Sequence, residues 1–283
     1  MPFFLRALPD LRGKGRLTLR LDRLLTDYSQ PDSYEVIGFL NGASRFNFDL
    51  RPWGQKFAYY YQSWELEYVA ILKRLYSGGW FIDIGSSLGL YVVCLGPEVE
   101  RLGGQIVSIE PVQFNLEKQR KNVALNHLDH LVSYVPYAMG SERGTVQIAA
   151  DPVMADNNAF IVKEGGFQVE VVRLDDLAAE KEFPRIGLMK MDVEGYEPMV
   201  IQGAKATIKR DKPIILAEFL RERMEINGFF MSGSWQFLVA ELGYVCYALS
   251  GRKRKLRQLN NPGSAENLLF VPSDIFIPAD LLA

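Results

Sequence analysis

The sequence predicts an α/β fold, a doubly wound and mostly parallel sheet with helices on both faces. Three observations carry this. From residue 80 onward, short apolar runs bounded by turn residues alternate with longer segments of helical period. The first run, Trp80-Phe81-Ile82-Asp83-Ile84, is apolar on both faces apart from one acid, as expected of a strand covered on both sides. It passes directly into Gly85-Ser86-Ser87-Leu88-Gly89 and the start of a helix, where glycines let the backbone turn sharply and approach a ligand.

In chain order, residues 1–30 are basic and mixed, with Arg6, Arg12, Lys14, Arg16, Arg20 and Arg23 against Asp10 and Asp22. A solvated helix or extension is preferred there over an arm touching a partner or an anionic membrane. Residues 34–50 alternate around Asn41-Gly42, a hairpin signal. Residues 59–76 read as one amphipathic helix leading to the first strand. Together, 1–75 form an N-terminal extension and 76–283 the main domain.

Helices are expected over 90–102 (with a break at Pro97), 115–126, 174–179, 197–209 and 234–242. Pro198 is tolerated in a first helical turn. Further strands are expected over 105–110, 131–135, 187–191, 214–218, 244–249 and 267–271. A β-hairpin over about 144–172 is inserted between core strands; its polar connection, 151–166, is expected to be mobile and to order over a ligand. The last two strands flank the basic loop Arg252-Lys253-Arg254-Lys255-Leu256-Arg257 and make an antiparallel pair at the sheet edge.

At 283 residues, the chain can bury one sizeable domain beside such an extension. Its 48% hydrophobic and 23% charged content is that of a globular protein. A formal net charge of −2 gives no global attraction to nucleic acid. Cys94 and Cys246 have no metal-ligand spacing and are expected to be reduced packing residues. No apolar run approaches a membrane span, and the start is too short in apolar residues for a signal peptide, so a cytoplasmic location is expected. No pattern specifies an oligomeric state.

The second strand, Gln105-Ile106-Val107-Ser108-Ile109-Glu110, ends in an acid. Strand, glycine turn, helix, strand and terminal acid are the plan of a nucleoside-cofactor site, the acid taking the ribose hydroxyls. A dinucleotide fingerprint starting at Gly85 would need glycine at 87 and 90, where Ser87 and Leu90 stand. Asp83 would repel a pyrophosphate and suits a cationic ligand. S-adenosylmethionine (SAM), with an ammonium, a sulfonium and a ribose diol, therefore fits better than NAD. The bland alternative is a helix packed on glycines with solvated acids at the strand ends.

Phe81-Ile82-Asp83-Ile84-Gly85, Ile109-Glu110-Pro111, Asn122-Val123-Ala124-Leu125-Asn126, Met189-Lys190-Met191-Asp192-Val193-Glu194-Gly195 and Ile215-Leu216-Ala217-Glu218 follow in the order and at the spacing of FkbM-type SAM-dependent methyltransferases. Trp64-Glu65-Leu66-Glu67 resembles the acidic helix start of that family and Asn267-Leu268-Leu269-Phe270-Val271-Pro272 its last strand. The resemblance covers roughly residues 60–272, and Ser86-Ser87-Leu88 departs from the family's more usual Ala-Asn-Ile. It implies a class I (Rossmann-like) methyltransferase fold whose last strand is antiparallel. It also implies that Gly85 and Ser86 hold the methionine part of SAM, Glu110 with Pro111 the ribose, and that Tyr137 and Ala138 edge the adenine.

Asp192 and Glu194 stand at the end of the fourth strand and Glu218 at the end of the fifth, where open α/β sheets bind ligands. Methyl transfer requires positioning and removal of the acceptor's proton, which a carboxylate can perform. Asp192 is the first choice of base, followed by Glu194 and Glu218. The three could instead bind Mg²⁺, a reading not favoured over catalysis without a metal. His127 and His130 are read as surface or packing residues.

The expected function is methylation of a hydroxyl on a sugar, glycan or secondary metabolite, the acceptor class being implied by the resemblance alone. Nucleic-acid methylation is disfavoured, because Asp192-Val193-Glu194-Gly195 replaces the Asn/Asp-Pro-Pro-aromatic signature and no Pro-Cys pair exists. The alternatives are an NAD-dependent oxidoreductase and a non-catalytic nucleoside-binding module. The acceptor pocket is expected from 59–67, 151–166 and 219–233, with Phe229, Phe230 and Trp235 as stacking surfaces.

Overall fold

A computed structural model describes residues 34–61, 64–150, 159–251 and 254–283. The basic segment 1–30, part of the connection 151–166 and Arg252-Lys253 lie outside the described residues.

The hairpin pairs β1 (Glu35–Leu40) with β2 (Ser44–Asp49), turned by Asn41 and Gly42, both left-handed. Instead of one helix over 59–76 there are two, α1 (Trp53–Tyr61) and α2 (Leu66–Leu75). Glu65, at φ 47°, immediately precedes α2, and a left-handed residue cannot continue a right-handed helix.

The chain then runs β3 (Trp80–Ile84), α3 (Leu90–Arg101), β4 (Ile106–Ile109), α4 (Gln113–Leu125) and β5 (Val132–Val135). The inserted region is β6 (Ala138–Met139), β7 (Gly144–Ala150), β8 (Ala159–Val162) and β9 (Phe167–Val172). The second half follows as α5 (Leu174–Glu180), β10 (Ile186–Met191), α6 (Glu197–Gly203), α7 (Lys205–Asp211) and β11 (Ile214–Glu218). After these come α8 (Arg221–Ile226) and α9 (Ser232–Trp235), which continues as a π-helical stretch over Gln236–Glu241. The chain closes with β12 (Tyr244–Ser250), β13 (Lys255–Leu259) and β14 (Asn267–Pro272).

The main sheet has the order β13-β12-β14-β11-β10-β3-β4-β5. Strands β5 to β11 are parallel, and β14 is antiparallel to both neighbours. Winding proceeds outward from β3 in one direction and from β10 in the other, which opens a crevice above the ends of these two strands. This is the doubly wound sheet with an antiparallel last strand that the sequence predicts.

Four further expectations are corrected. Pro97 does not break α3: the Val93 carbonyl, which loses its helical donor to the proline, accepts the Ser44 hydroxyl at 3.3 Å. Part of the basic loop is the strand β13, which covers the outer edge of β12. The inserted hairpin is a four-stranded sheet of order β6-β9-β7-β8, because Phe160-Ile161-Val162 pairs with β7. The helix expected over 197–209 divides at Ala204, where Gly203 packs so closely on the Gly140 carbonyl that a Cβ would lie 1.9 Å from it.

One sheet face shares a continuous apolar cluster with the hairpin, α2 and α3, including Phe46, Phe48, Leu72 and Val92. The other buries Ile82, Met189, Ile201, Ile208 and Phe270 with the helices of the second half. Asn122 and Asn126, one turn apart on α4, act as a surrogate strand for β2. Their side-chain oxygens accept the Asn47 and Arg45 N–H groups, each at 2.8 Å, and Asn126 Nδ2 donates to the Arg45 carbonyl. Asn122 Nδ2 also donates to the Leu88 carbonyl at 2.9 Å, which fastens the hairpin to the glycine turn.

Candidate active site

The crevice between β3 and β10 is bounded by the turn after each strand. Ile109 O accepts the Gly85 and Ser86 N–H groups, and Ile84 O accepts the Asp192 N–H. Gly85, at φ 74°, is forced by this crossing: a Cβ would lie 1.8 Å from the Asp192 carbonyl oxygen. A Cβ on Gly89 would meet Gln119 Cγ at 2.7 Å. Packing within the chain therefore requires both glycines, whatever ligand approaches the turn. The second turn has Glu194 and Gly195 both left-handed, and the buried Glu197 accepts the Val193 and Gly195 N–H groups.

Two cavities meet over these turns, with empty volumes, open solvent included, of about 680 and 910 Å³. Gly85, Ser87, Asp192 and Glu194 line both. The first is closed by Glu110, Pro111, Tyr137 and Ala138 and by Ile148, Ala159 and Ile161 of the inserted sheet. The second adds Asp83, Ser86, Glu218, Lys190, Tyr91 and Glu65. All ten residues singled out from the sequence thus face one or the other.

Glu110 is buried and held back against the turns. Its Oε2 accepts the Ser87 N–H at 2.9 Å, and its Oε1 accepts the Val112 N–H at 3.0 Å and Asn115 Nδ2 at 3.3 Å. A carboxylate has about four acceptor positions, which leaves one on Oε2. Burial pushes its carboxyl up to about 7. Asp83 is 1% exposed, neither oxygen has a hydrogen-bond partner, and burial pushes it up to about 7. Such an orphaned carboxylate is costly unless a ligand supplies the donor. Ser86 lines the second cavity, but its hydroxyl is tied 2.7 Å from Ser108 Oγ.

Lys190 was not singled out, and Glu65 only as part of the expected acceptor segment 59–67. Lys190 is 4% exposed on β10, its Nζ 2.7 Å from Asp192 Oδ2. Burial alone would lower its ammonium, but Asp192, Glu65 and Asp83 outweigh burial and raise it. Burial also raises the Glu65 carboxyl, which sits between Lys190 and the Tyr91 hydroxyl. A lysine at an inward position of a fully buried strand was the available signal for the first. The second depends on the helix break before α2, which local pattern does not reveal.

The three candidate bases differ. Asp192 is ion-paired to Lys190, and Glu194 to Arg223 Nε at 3.1 Å. Glu218 has no ion-pair partner among the described residues and accepts Asn267 Nδ2 at 3.1 Å. Burial, then adjacent Asp192, pushes Glu218 up to about 8 and Glu194 up to about 7. His130 is exposed and bonded to Glu100, away from both cavities. The aromatic residues expected in the acceptor pocket do not line it: Phe229 packs edge-on to Tyr196, Trp235 lies against Phe270, and Phe230 is exposed. Among the described residues, no three His, Cys, Asp or Glu side chains are grouped to hold a metal ion. No helix of the described residues is long and apolar enough to cross a membrane.

Residues 83–246 match the methyltransferase FkbM domain. The chain belongs to this family. A hexuronic acid methyltransferase, AglP, from the archaeon Haloferax volcanii is 22% identical over 121 residues, 43% of this chain and 48% of the relative. The chain thus matches about half the length of that relative. Solved structures with similar folds include an FkbM methyltransferase from Methylobacillus flagellatus KT (16% identity, TM-score 0.46, 69% of this chain and 43% of that one). An O-methyltransferase from Bacillus cereus in complex with SAH is 14% identical, with a TM-score of 0.39 over 72% of this chain and 78% of that one.

Proposed function

We propose that the chain transfers the methyl group of SAM to a hydroxyl of a sugar, glycan or secondary metabolite. The observation that carries the cofactor half is Asp83, a fully buried carboxylate with no partner beside the turn at Gly85. It would receive the methionine ammonium, and the remaining acceptor position on Glu110 Oε2 a ribose hydroxyl. Tyr137, Ala138 and the apolar wall from the inserted sheet suit an adenine ring. Membership of the family supports methyl transfer, and the archaeal hexuronic acid methyltransferase supports a sugar as acceptor.

SAM supplies an activated methyl carbon: the acceptor oxygen bonds to it as the carbon–sulfur bond breaks, the electron pair staying on sulfur. The chain's own task is to hold the hydroxyl in line and take its proton. Glu218 is the base we favour over Asp192, because Lys190 already claims the Asp192 carboxylate. A cationic ligand nearby brings Glu218 down from about 8 toward neutrality, where a base works best. Glu218→Gln should lower kcat by at least about tenfold with little change in SAM affinity. Full turnover by that variant would return the role to Asp192 or Glu194.

SAM and SAH should bind with dissociation constants in the ~1 µM to 1 mM range of metabolite sites, and NAD should not. Binding should also release protons. Asp83, Glu110 and Glu194 at about 7 and Glu218 at about 8 are partly protonated in the empty site at neutral pH. These values lie above the roughly 4 of an unfolded carboxyl, so their contribution to stability is complete below pH ~4 and is lost as pH rises to about 8. The free protein should therefore lose stability across that window while affinity for the cationic ligand grows. Calorimetry in buffers of different ionisation enthalpy reads the proton release directly. NAD binding without SAM binding would overturn the reading.

A further inference from the structure

We infer that the acceptor is a neutral or amino-bearing polyol, and that an acceptor carboxylate reaching Glu65 and Glu218 in the second cavity is selected against. This rests on the methyltransferase reading above. Five carboxyls line the cavity, from Glu65, Asp83, Asp192, Glu194 and Glu218, against the one ammonium of Lys190. That ammonium is already engaged by Asp192 at 2.7 Å and flanked by Glu65 and Asp83. Arg223, the other nearby cation, is spent on Glu194 and lies over the Phe160 ring. Among the described residues lining the cavity, no cation is left to receive an anionic group.

The acids alone would not make a site. The second observation is Asp83, whose two oxygens lie within the protein without a donor and in the cavity wall, so that a ligand must supply one. The methionine ammonium satisfies Asp83. Glu65 and Glu218 then remain, one from the turn before α2 and one from the end of β11, with Tyr91 in the same cavity wall. Carboxylates accept hydrogen bonds from sugar hydroxyls and, more strongly, from an amine. A uronic acid would place like charge against like, a contact that specific sites use to reject wrong partners. Glu65 lies before the family-matched stretch 83–246 and adds a carboxyl from the N-terminal elements to those of the strand ends.

The test is methyl transfer from radiolabelled SAM to methyl glycosides of glucose, glucosamine and glucuronic acid and to their short oligosaccharides. The glucuronides should have kcat/KM at least about tenfold below the glucosides, with glucosaminides equal to or above the glucosides. Glu65→Gln should narrow the glucoside-to-glucuronide ratio at least about threefold, a change that loss of packing alone would not produce. If that variant does not fold, raised salt should narrow the same ratio in the unsubstituted protein by screening. A glucuronide turned over as well as the glucoside, or no transfer to any neutral or amino glycoside, would overturn the inference while leaving SAM binding intact. Absence of SAM binding would instead remove the methyltransferase reading beneath it.

Discussion

Replacing Lys190 with methionine should destabilise the protein by about 3–5 kcal/mol, the cost of stranding charge when one partner of a buried ion pair is removed. The ammonium is held by Asp192 and lies close to Glu65 and Asp83, so its loss leaves three carboxyls facing one another. The cost should depend on pH in a definite direction. Lys190 is raised, so its own contribution is complete below the unfolded lysine value of roughly 10 and is constant through the neutral range. The carboxyls can escape by taking up protons, which is easier in acid. The deficit should therefore be smaller near pH 5.5 than near pH 8. Urea unfolding at the two values measures it, and equal deficits would mean that the lysine does not compensate these acids.

Gly85→Ala should cost about 3 kcal/mol or more, because overpacking against backbone adds to the penalty of a left-handed residue. Its Cβ would fall 1.8 Å from the Asp192 carbonyl oxygen, so the ends of β3 and β10 must part and both cavities deform with them. Gly103→Ala is the control. Its φ is 70° but a Cβ there has open space, so it should show only the conformational part, about 1–2 kcal/mol. If the two substitutions cost the same by denaturant midpoint at unchanged slope, the contact with Asp192 is not what requires glycine.

The strands and helices around the crevice were legible because each is written in local pattern. Trp80–Ile84 is a buried strand by composition, and Asn41-Gly42 turns its hairpin by backbone conformation alone. What local pattern could not carry was pairing between distant segments. Phe160-Ile161-Val162 reads as an apolar run in a polar connection, and only the edge of β7 makes it a strand. Pro97 reads as a helix breaker until Ser44, far away in sequence, supplies the missing donor. The same holds at the site. The acids at strand ends could be named from position, whereas their division of labour depends on which cation stands beside each. Lys190 takes Asp192, Arg223 takes Glu194, and Glu218 is left with Asn267.

The place of β14 bears on how the chain matures during synthesis. Although β14 follows every other strand in sequence, it occupies an interior slot, hydrogen-bonded to β11 on one side and β12 on the other. While residues 267–272 are still to emerge from the ribosome, β11 and β12 each expose a strand edge bordered by apolar side chains such as Ile215, Ala217 and Cys246. Unpaired apolar edges are the surfaces through which nascent chains associate wrongly. Glu218 sits at the end of β11 and is fixed by Asn267 of the late strand. The base we propose, Glu218, therefore gains its Asn267 contact only once that late strand is in place.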